Sequence, residues 1–156
     1  MCTDSWAMCV MVLLEVSVDF ILLWLDAELR KHANWKDARQ MKLIIAGGRD
    51  IDNYEVVKQA IQESGWVHPT YVIGGGATGV DALGKKWALE NVVPYVNVSA
   101  KWDTEGKAAG PKRNKRMAEI GDALVLVWDG KSKGSMSMLN EAKKAGLKIH
   151  KVIIKE

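Results

Sequence analysis

Five short apolar runs alternate with four segments of helical period, and glycine-rich turns close three of those runs. Together they predict an α/β domain over residues 41–156, a mostly parallel five-stranded sheet in a three-layer, Rossmann-like sandwich. Parallel neighbours need crossover connections of a dozen or more residues, and the spacing between the runs supplies them. A third observation separates this domain from what precedes it. All 14 Gly and all 3 Pro of the 156-residue chain fall after residue 40, whereas Cys2, Cys9 and the single Phe, Phe20, fall before it.

The charge divides at the same place. Residues 1–40 hold six acidic and four basic side chains, net −2, while the whole chain has 22 Lys+Arg against 19 Asp+Glu, so residues 41–156 carry +5. A length of 156 residues excludes a multidomain enzyme, and 48% hydrophobic with 26% charged residues excludes wholesale disorder. Two cysteines seven apart, with no His cluster, give neither a disulfide framework nor a zinc site, so no metal is expected and a reducing, cytoplasmic setting is.

The N-terminal extension, residues 1–40, contains a 19-residue apolar run from Ala7 to Leu25, interrupted by Glu15 and Asp19. At a bilayer centre each carboxylate would cost about 2.5–3.5 kcal/mol, and no basic segment precedes the run as a signal peptide requires. No membrane span is expected. The extension reads either as a helical, core-covering appendage or as an upstream in-frame segment outside the natural product. The second reading is motivated by Met41, which opens the strand-like segment MKLIIAGGRD.

In chain order, residues 42–46 form a buried strand running into Gly47-Gly48. In DNYEVVKQAIQESG, Asp52 is expected to cap a helix with Glu55 as its capping-box partner, Val56, Ala60 and Ile61 to face inward, and Gly65 to stop it. Residues 70–73 form the second strand. GGGATGVDALGKKWALEN turns into a helix over residues 78–90, burying Val80, Leu83, Trp87 and Ala88. Residues 94–98 form the third strand, and 99–110 a polar loop of functional length. Pro111 starts the next helix, which runs to Ile120. Residues 123–128 are the most apolar strand; DGKSKGS follows, then a helix from Ser135 to Ala145 stopped by Gly146, and a last strand over 149–154.

Ligands of such folds bind beyond the carboxyl ends of the strands, where strand order reverses. The turns GGRD, GGGATG and DGKSKGS each sit at such an end and lead into a helix, so free backbone N–H groups and positive helix ends are expected to meet an anion there. Arg49 is placed to reach a phosphate or, alternatively, to pair with Asp50 or Asp52. Asp81, in the first turn of its helix, serves the macrodipole, a ribose hydroxyl or the glycine loop itself. Lys112, Arg113, Lys115 and Arg116 form a basic cluster at a helix start, where an anion would relieve unfavourable dipole interactions. Lys131 and Lys133 flank Ser132 in position to close over a phosphate.

Several chemistries are disfavoured. DGKSKGS lacks the G-x-x-x-x-G-K-[ST] spacing of a P-loop, and GGGATG follows the second strand with no acidic residue about 20 positions on, which argues against NAD. No G-x-S-x-G elbow exists, and His32, His68 and His150 lie away from the glycine rim. Trp102 in the loop and Trp128 at a strand end are the aromatic side chains placed to stack on a base.

Taken together, AGGRD, GGGATGVDALGKKWA, GKAAGPKRNKRM and WDGKSKGSMSMLNEAKKAG resemble the YspA-like branch of the SLOG superfamily, which also contains the Smf/DprA proteins and the LOG-type phosphoribohydrolases. The resemblance covers residues 41–156 and implies a Rossmann-like domain for nucleotides or nucleotide-derived ligands, found in bacteria and their phages. It places Gly47, Gly48 and Arg49 at the first turn, and Gly74, Gly75, Gly76, Gly79 and Asp81 at the second. Gly110, Pro111, Arg113 and Asn114 form the GPxRN element. Asp129, Gly130, Lys131, Ser132, Lys133, Gly134 and Ser135 make the fourth loop.

In the LOG-type hydrolases an Arg and a Glu take part in cleaving base from ribose 5′-monophosphate. Arg113 matches the Arg, but the Glu position is Met138 here, and a thioether cannot move a proton or stabilise a cationic centre. Glu141, three residues on, is the remaining candidate. The leading expectation is therefore binding or sensing of a nucleotide-type ligand, with no other cofactor. The alternatives are a nucleoside 5′-monophosphate N-glycosidase using Arg113 and Glu141, or DprA-like binding of single-stranded DNA by the basic cluster. Self-association through exposed helices is a further expectation.

Overall fold

The computed structural model describes residues 41–154. The readings of residues 1–40, including the extension, its apolar run, both cysteines and His32, lie outside the described residues. Five parallel strands are ordered β3-β2-β1-β4-β5: β1 Lys42–Gly47, β2 Tyr71–Gly74, β3 Tyr95–Asn97, β4 Ala123–Trp128 and β5 Lys148–Ile153. The helices are α1 Tyr54–Ser64, α2 Val80–Glu90, the single turn α3 Trp102–Glu105, α4 Ala109–Ile120 and α5 Lys133–Lys144. A 3-10 turn, Gly106–Ala108, joins α3 to α4. No helix among the described residues is long and apolar enough to cross a membrane.

The expected sheet is present and wholly parallel. Its two central strands alternate their side chains between two cores, as the period of two demands. Leu43, Ile45, Val125 and Val127 pack with Val57, Ile61, Val80 and Trp87 from α1 and α2. Ile44, Leu124, Leu126 and Trp128 pack on the other face with Met117, Met138 and Leu139 from α4 and α5. Burying each large side chain contributes about 1.5–3 kcal/mol, so the three layers follow from two strands that are apolar on both faces. The chain order reverses between β1 and β4, which opens the crevice at their carboxyl ends.

Local details differ from the sequence reading. Asn53, not Asp52, caps α1, its side chain accepting from the Glu55 amide at 3.1 Å, while Glu55 pairs with Lys58 instead of closing a capping box. That one-residue shift buries Val57 fully and leaves Val56 half-buried. Leu83 is likewise only half-buried, because α2 presses its Gly84 against Ile45. The segment expected as loop contains α3 and the 3-10 turn, and α4 begins at Ala109, so Pro111 is its third residue. That position still lacks an intrahelical N–H acceptor, so proline costs nothing there. Helix α5 starts at Lys133, capped by Ser132, two residues before Ser135.

Candidate functional site

The carboxyl ends of β1, β2 and β3 and the segment around α3 enclose a cleft of about 500 Å³, lined by Arg49, Gly75, Gly76, Ala77, Thr78, Asn97, Ser99, Ala100, Trp102 and Arg113. It adjoins a narrow crevice of about 50 Å³ at the β1/β4 reversal, which shares Arg49, Ala77 and Arg113 and adds Gly47, Asp81, Asn114, Ser132, Gly134, Ser135 and Met138. The three glycine-rich turns and the 99–110 segment singled out in the sequence thus meet with the GPxRN helix at one rim.

The support beneath the rim is a chain of polar contacts. Asp81, 6% exposed, accepts through Oδ2 from the amides of Gly75 at 3.0 Å and Ala77 at 3.4 Å, and also bonds to the Gly47 backbone. Burial raises its pKa, against the opposing pull of Arg113 and these amides. Arg113 donates through Nη1 to the Gly75 carbonyl at 2.5 Å and through Nε to Asn114 Oδ1 at 3.1 Å. The Asn114 amide group donates onward to the Gly134 carbonyl at 3.2 Å, tying α4 to the start of α5. Burial lowers the Arg113 pKa; Asp81 offsets this and Arg49 adds to it.

The glycines fit this packing. A Cβ at Gly75 would lie 2.0 Å from Arg113 Nη1, one at Gly74 2.2 Å from the Tyr95 hydroxyl, and one at Gly47 2.0 Å from the Val127 carbonyl. Gly79, at φ +71°, caps α2 where a side chain would strike the Gly48 and Arg49 carbonyls.

The expectation of free amides at the glycine turns is not met at several of them. Gly75 and Ala77 donate to Asp81, Gly76 bonds to the Tyr95 hydroxyl, and the Val80 amide donates to the Gly48 carbonyl. At the fourth turn the amides of Lys131 and Ser132 donate to Asp129 at 2.9 and 3.0 Å, which holds its pKa below the usual value, and Ser135 donates to Ser132 Oγ. Positive charge reaches the cleft instead through side chains. Arg49 is exposed, and among the described residues no carboxylate pairs with it, neither Asp50 nor Asp52 included.

The remaining candidates are placed differently. Gly48, Gly74, Gly79, Gly110 and Pro111 shape the walls without lining either opening, and Asp129, Gly130, Lys131 and Lys133 lie outside both linings. The basic cluster disperses around α4: Arg113 faces the cleft, Arg116 binds Glu105 at 3.1 Å and the Ser99 carbonyl at 3.3 Å, and Lys115 lies 3.9 Å from Glu119. Glu141 pairs with Lys144 at 2.7 Å beside a separate groove between α4 and α5, while Met138, 2% exposed, occupies the crevice. Trp128 is 5% exposed in the core and offers no stacking face; Trp102 is 55% exposed on the cleft wall. His68 and His150 line neither opening.

Sequence reasoning missed Thr78, Asn97 and Ser99. Asn97 ends β3 and Ser99 follows it, so the rule that placed the glycine turns applied to them as well.

Residues 41–104 match the model of the YspA, cpYpsA-related SLOG family. This segment, 64 of the 156 residues, is similar to that SLOG family. Its fold also matches the crystal structure of DNA processing protein A (DprA) from Streptococcus pneumoniae, with a TM-score of 0.56 and 17% identity over 72% of this chain and 50% of that one. The match therefore spans half the length of that protein. Comparison with curated protein sequences gives no match. The matched segment holds β1 through most of α3, and hence Arg49, the glycine loop, Asp81 and Trp102; Arg113, Asn114 and the fourth loop lie beyond it.

Proposed function

We propose that the SLOG-like domain binds a nucleotide or nucleotide-derived anion in the 500 Å³ cleft. The observation that carries this reading is the convergence of Arg49 and Arg113 on one opening. Burial and, to a lesser degree, the neighbouring Arg49 make Arg113 costlier to ionise, Asp81 answers that charge from beneath, and an anion between the two guanidiniums would relieve the cost. A volume of about 500 Å³ is within the range of small-ligand sites, and Trp102 gives the wall an aromatic face for a base. Asn97, Ser99 and Thr78 supply hydrogen-bonding groups suited to ribose hydroxyls.

Similarity to the SLOG family supports a nucleotide- or nucleic-acid-related role. DprA is named for DNA processing, but here the side chains that would track a strand along α4 are split between the cleft, Glu105 and Glu119. A bounded pocket for one small ligand fits the geometry better. Binding is proposed rather than glycoside cleavage because the carboxylates near the rim are committed: Asp81 to loop amides and Glu141 to Lys144.

Native mass spectrometry with a panel of added nucleoside mono-, di- and triphosphates and cyclic dinucleotides tests the reading. One class should form a one-to-one adduct that weakens in Arg49→Ala. Adducts of every class in equal amount, unchanged by that substitution, would contradict it. Release of free base during the same incubation would move the assignment to an N-glycosidase.

A further inference from the structure

A second cleft of about 350 Å³ lies on the other side of the glycine loop, lined by Gly76, Ala77, Asp81, Ala82, Lys85, Tyr95 and Asn97. It shares Gly76, Ala77 and Asn97 with the 500 Å³ cleft, so the two openings meet over the tip of that loop. The ridge between them is low because Gly76 is exposed and has no side chain; at φ +68° a Cβ there would lie 2.7 Å from Asn97 Oδ1.

Charge continues across the ridge. Lys85 is exposed, has no ion pair among the described residues, and holds its ammonium 5.9 Å from the centre of the Tyr95 ring. The neighbouring lysine of α2, Lys86, is by contrast engaged with Glu90 at 3.8 Å and with the Tyr54 ring. Among the described residues, the only carboxylate lining the second cleft is Asp81, whose Oδ2 is occupied by loop amides. Each opening therefore presents a cation and an aromatic ring, Arg49 with Arg113 and Trp102 in one, Lys85 and Tyr95 in the other.

Resting on the nucleotide reading above, we infer that the ligand is a dinucleotide, two nucleotide units joined through phosphates, which crosses the loop at Gly76 and sets its second unit against Lys85 and Tyr95. A mononucleotide fills one cleft and leaves the second cation without an anion. A ligand bearing two bases and a bridging diphosphate matches both halves, and the absence of a side chain at Gly76 is what lets it pass.

The test is calorimetric titration of the full chain with adenosine 5′-monophosphate and diadenosine 5′,5′-diphosphate, and with the guanosine pair. The dinucleotide should bind at least about tenfold tighter than its mononucleotide. Lys85→Gln should remove that excess and leave the mononucleotide constant unchanged. Equal affinities for both members of each pair, or an excess that survives Lys85→Gln, would overturn the dinucleotide assignment while leaving the mononucleotide site standing. Absence of binding by either member of both pairs would overturn both readings.

Discussion

Arg113 reaches from α4 to the glycine loop and donates through Nη1 to the carbonyl of Gly75, whose own amide donates to Asp81. The contact joins β2, α2 and α4 at the edge of the cleft, and it exists only because position 75 has no side chain. Gly75→Ala should displace the guanidinium, destabilise the domain by about 1–3 kcal/mol through overpacking, and weaken nucleotide binding together with it. Denaturant melts and titration on the same sample check both effects.

Arg49→Ala separates binding from folding. The side chain is exposed and has no carboxylate partner among the described residues, so its removal should change stability by no more than about 0.5 kcal/mol. Ligand affinity should nevertheless fall by about tenfold or more, as expected for a charge-assisted contact to an anion.

Trp102→Ala should lower affinity for a nucleotide by about 1–3 kcal/mol, the usual worth of base stacking on an aromatic ring, and leave affinity for inorganic pyrophosphate unchanged. Parallel titrations with the two ligands distinguish stacking from a general loss of the wall.

Asp81 predicts a pH dependence. Its pKa is higher in the folded protein than in the unfolded chain, so the folded state binds more protons between the two values. Its contribution is therefore fullest below the unfolded value of about 3.9 and is lost as pH rises through the raised folded value. Asp129, held low by its loop amides, slopes the opposite way, so the diagnostic quantity is the stability of wild type minus that of Asp81→Asn, which should decline as pH increases from about 4.

The segment around α3 is held by Arg116, which bonds to Glu105 and to the Ser99 carbonyl. Arg116→Ala should raise amide hydrogen exchange over residues 99–108 while leaving β1 and β4 protected, because the pair fastens that segment and not the sheet. Uniform exchange throughout the domain would contradict this assignment.

The fold was legible because β1 and β4 are apolar on both faces and glycine punctuates the strand ends; those patterns leave few alternatives to a parallel sheet. Cap positions were not, since Asp52 and Asn53 have nearly equal capping ability and only the packing of Val57 chooses between them. Of the candidate site, the residues that meet at the rim could be listed from motif position, but their roles could not. Whether a loop amide faces outward or toward a buried carboxylate depends on Asp81 lying beneath the loop, a relation between backbone and side chain with no spacing signature. Trp128 illustrates the same limit. Its place at a strand end suggested a stacking surface, and the alternation of β4 turns it into the core against α4 and α5.

Titration calorimetry of wild type, Arg49→Ala and Arg113→Ala against the nucleotide panel addresses the convergent arginine pair most directly. Saturable binding of at least one nucleotide to wild type, reduced about tenfold or more in each variant, is the predicted result. No heat from any member of the panel, or binding that both variants retain in full, would contradict it.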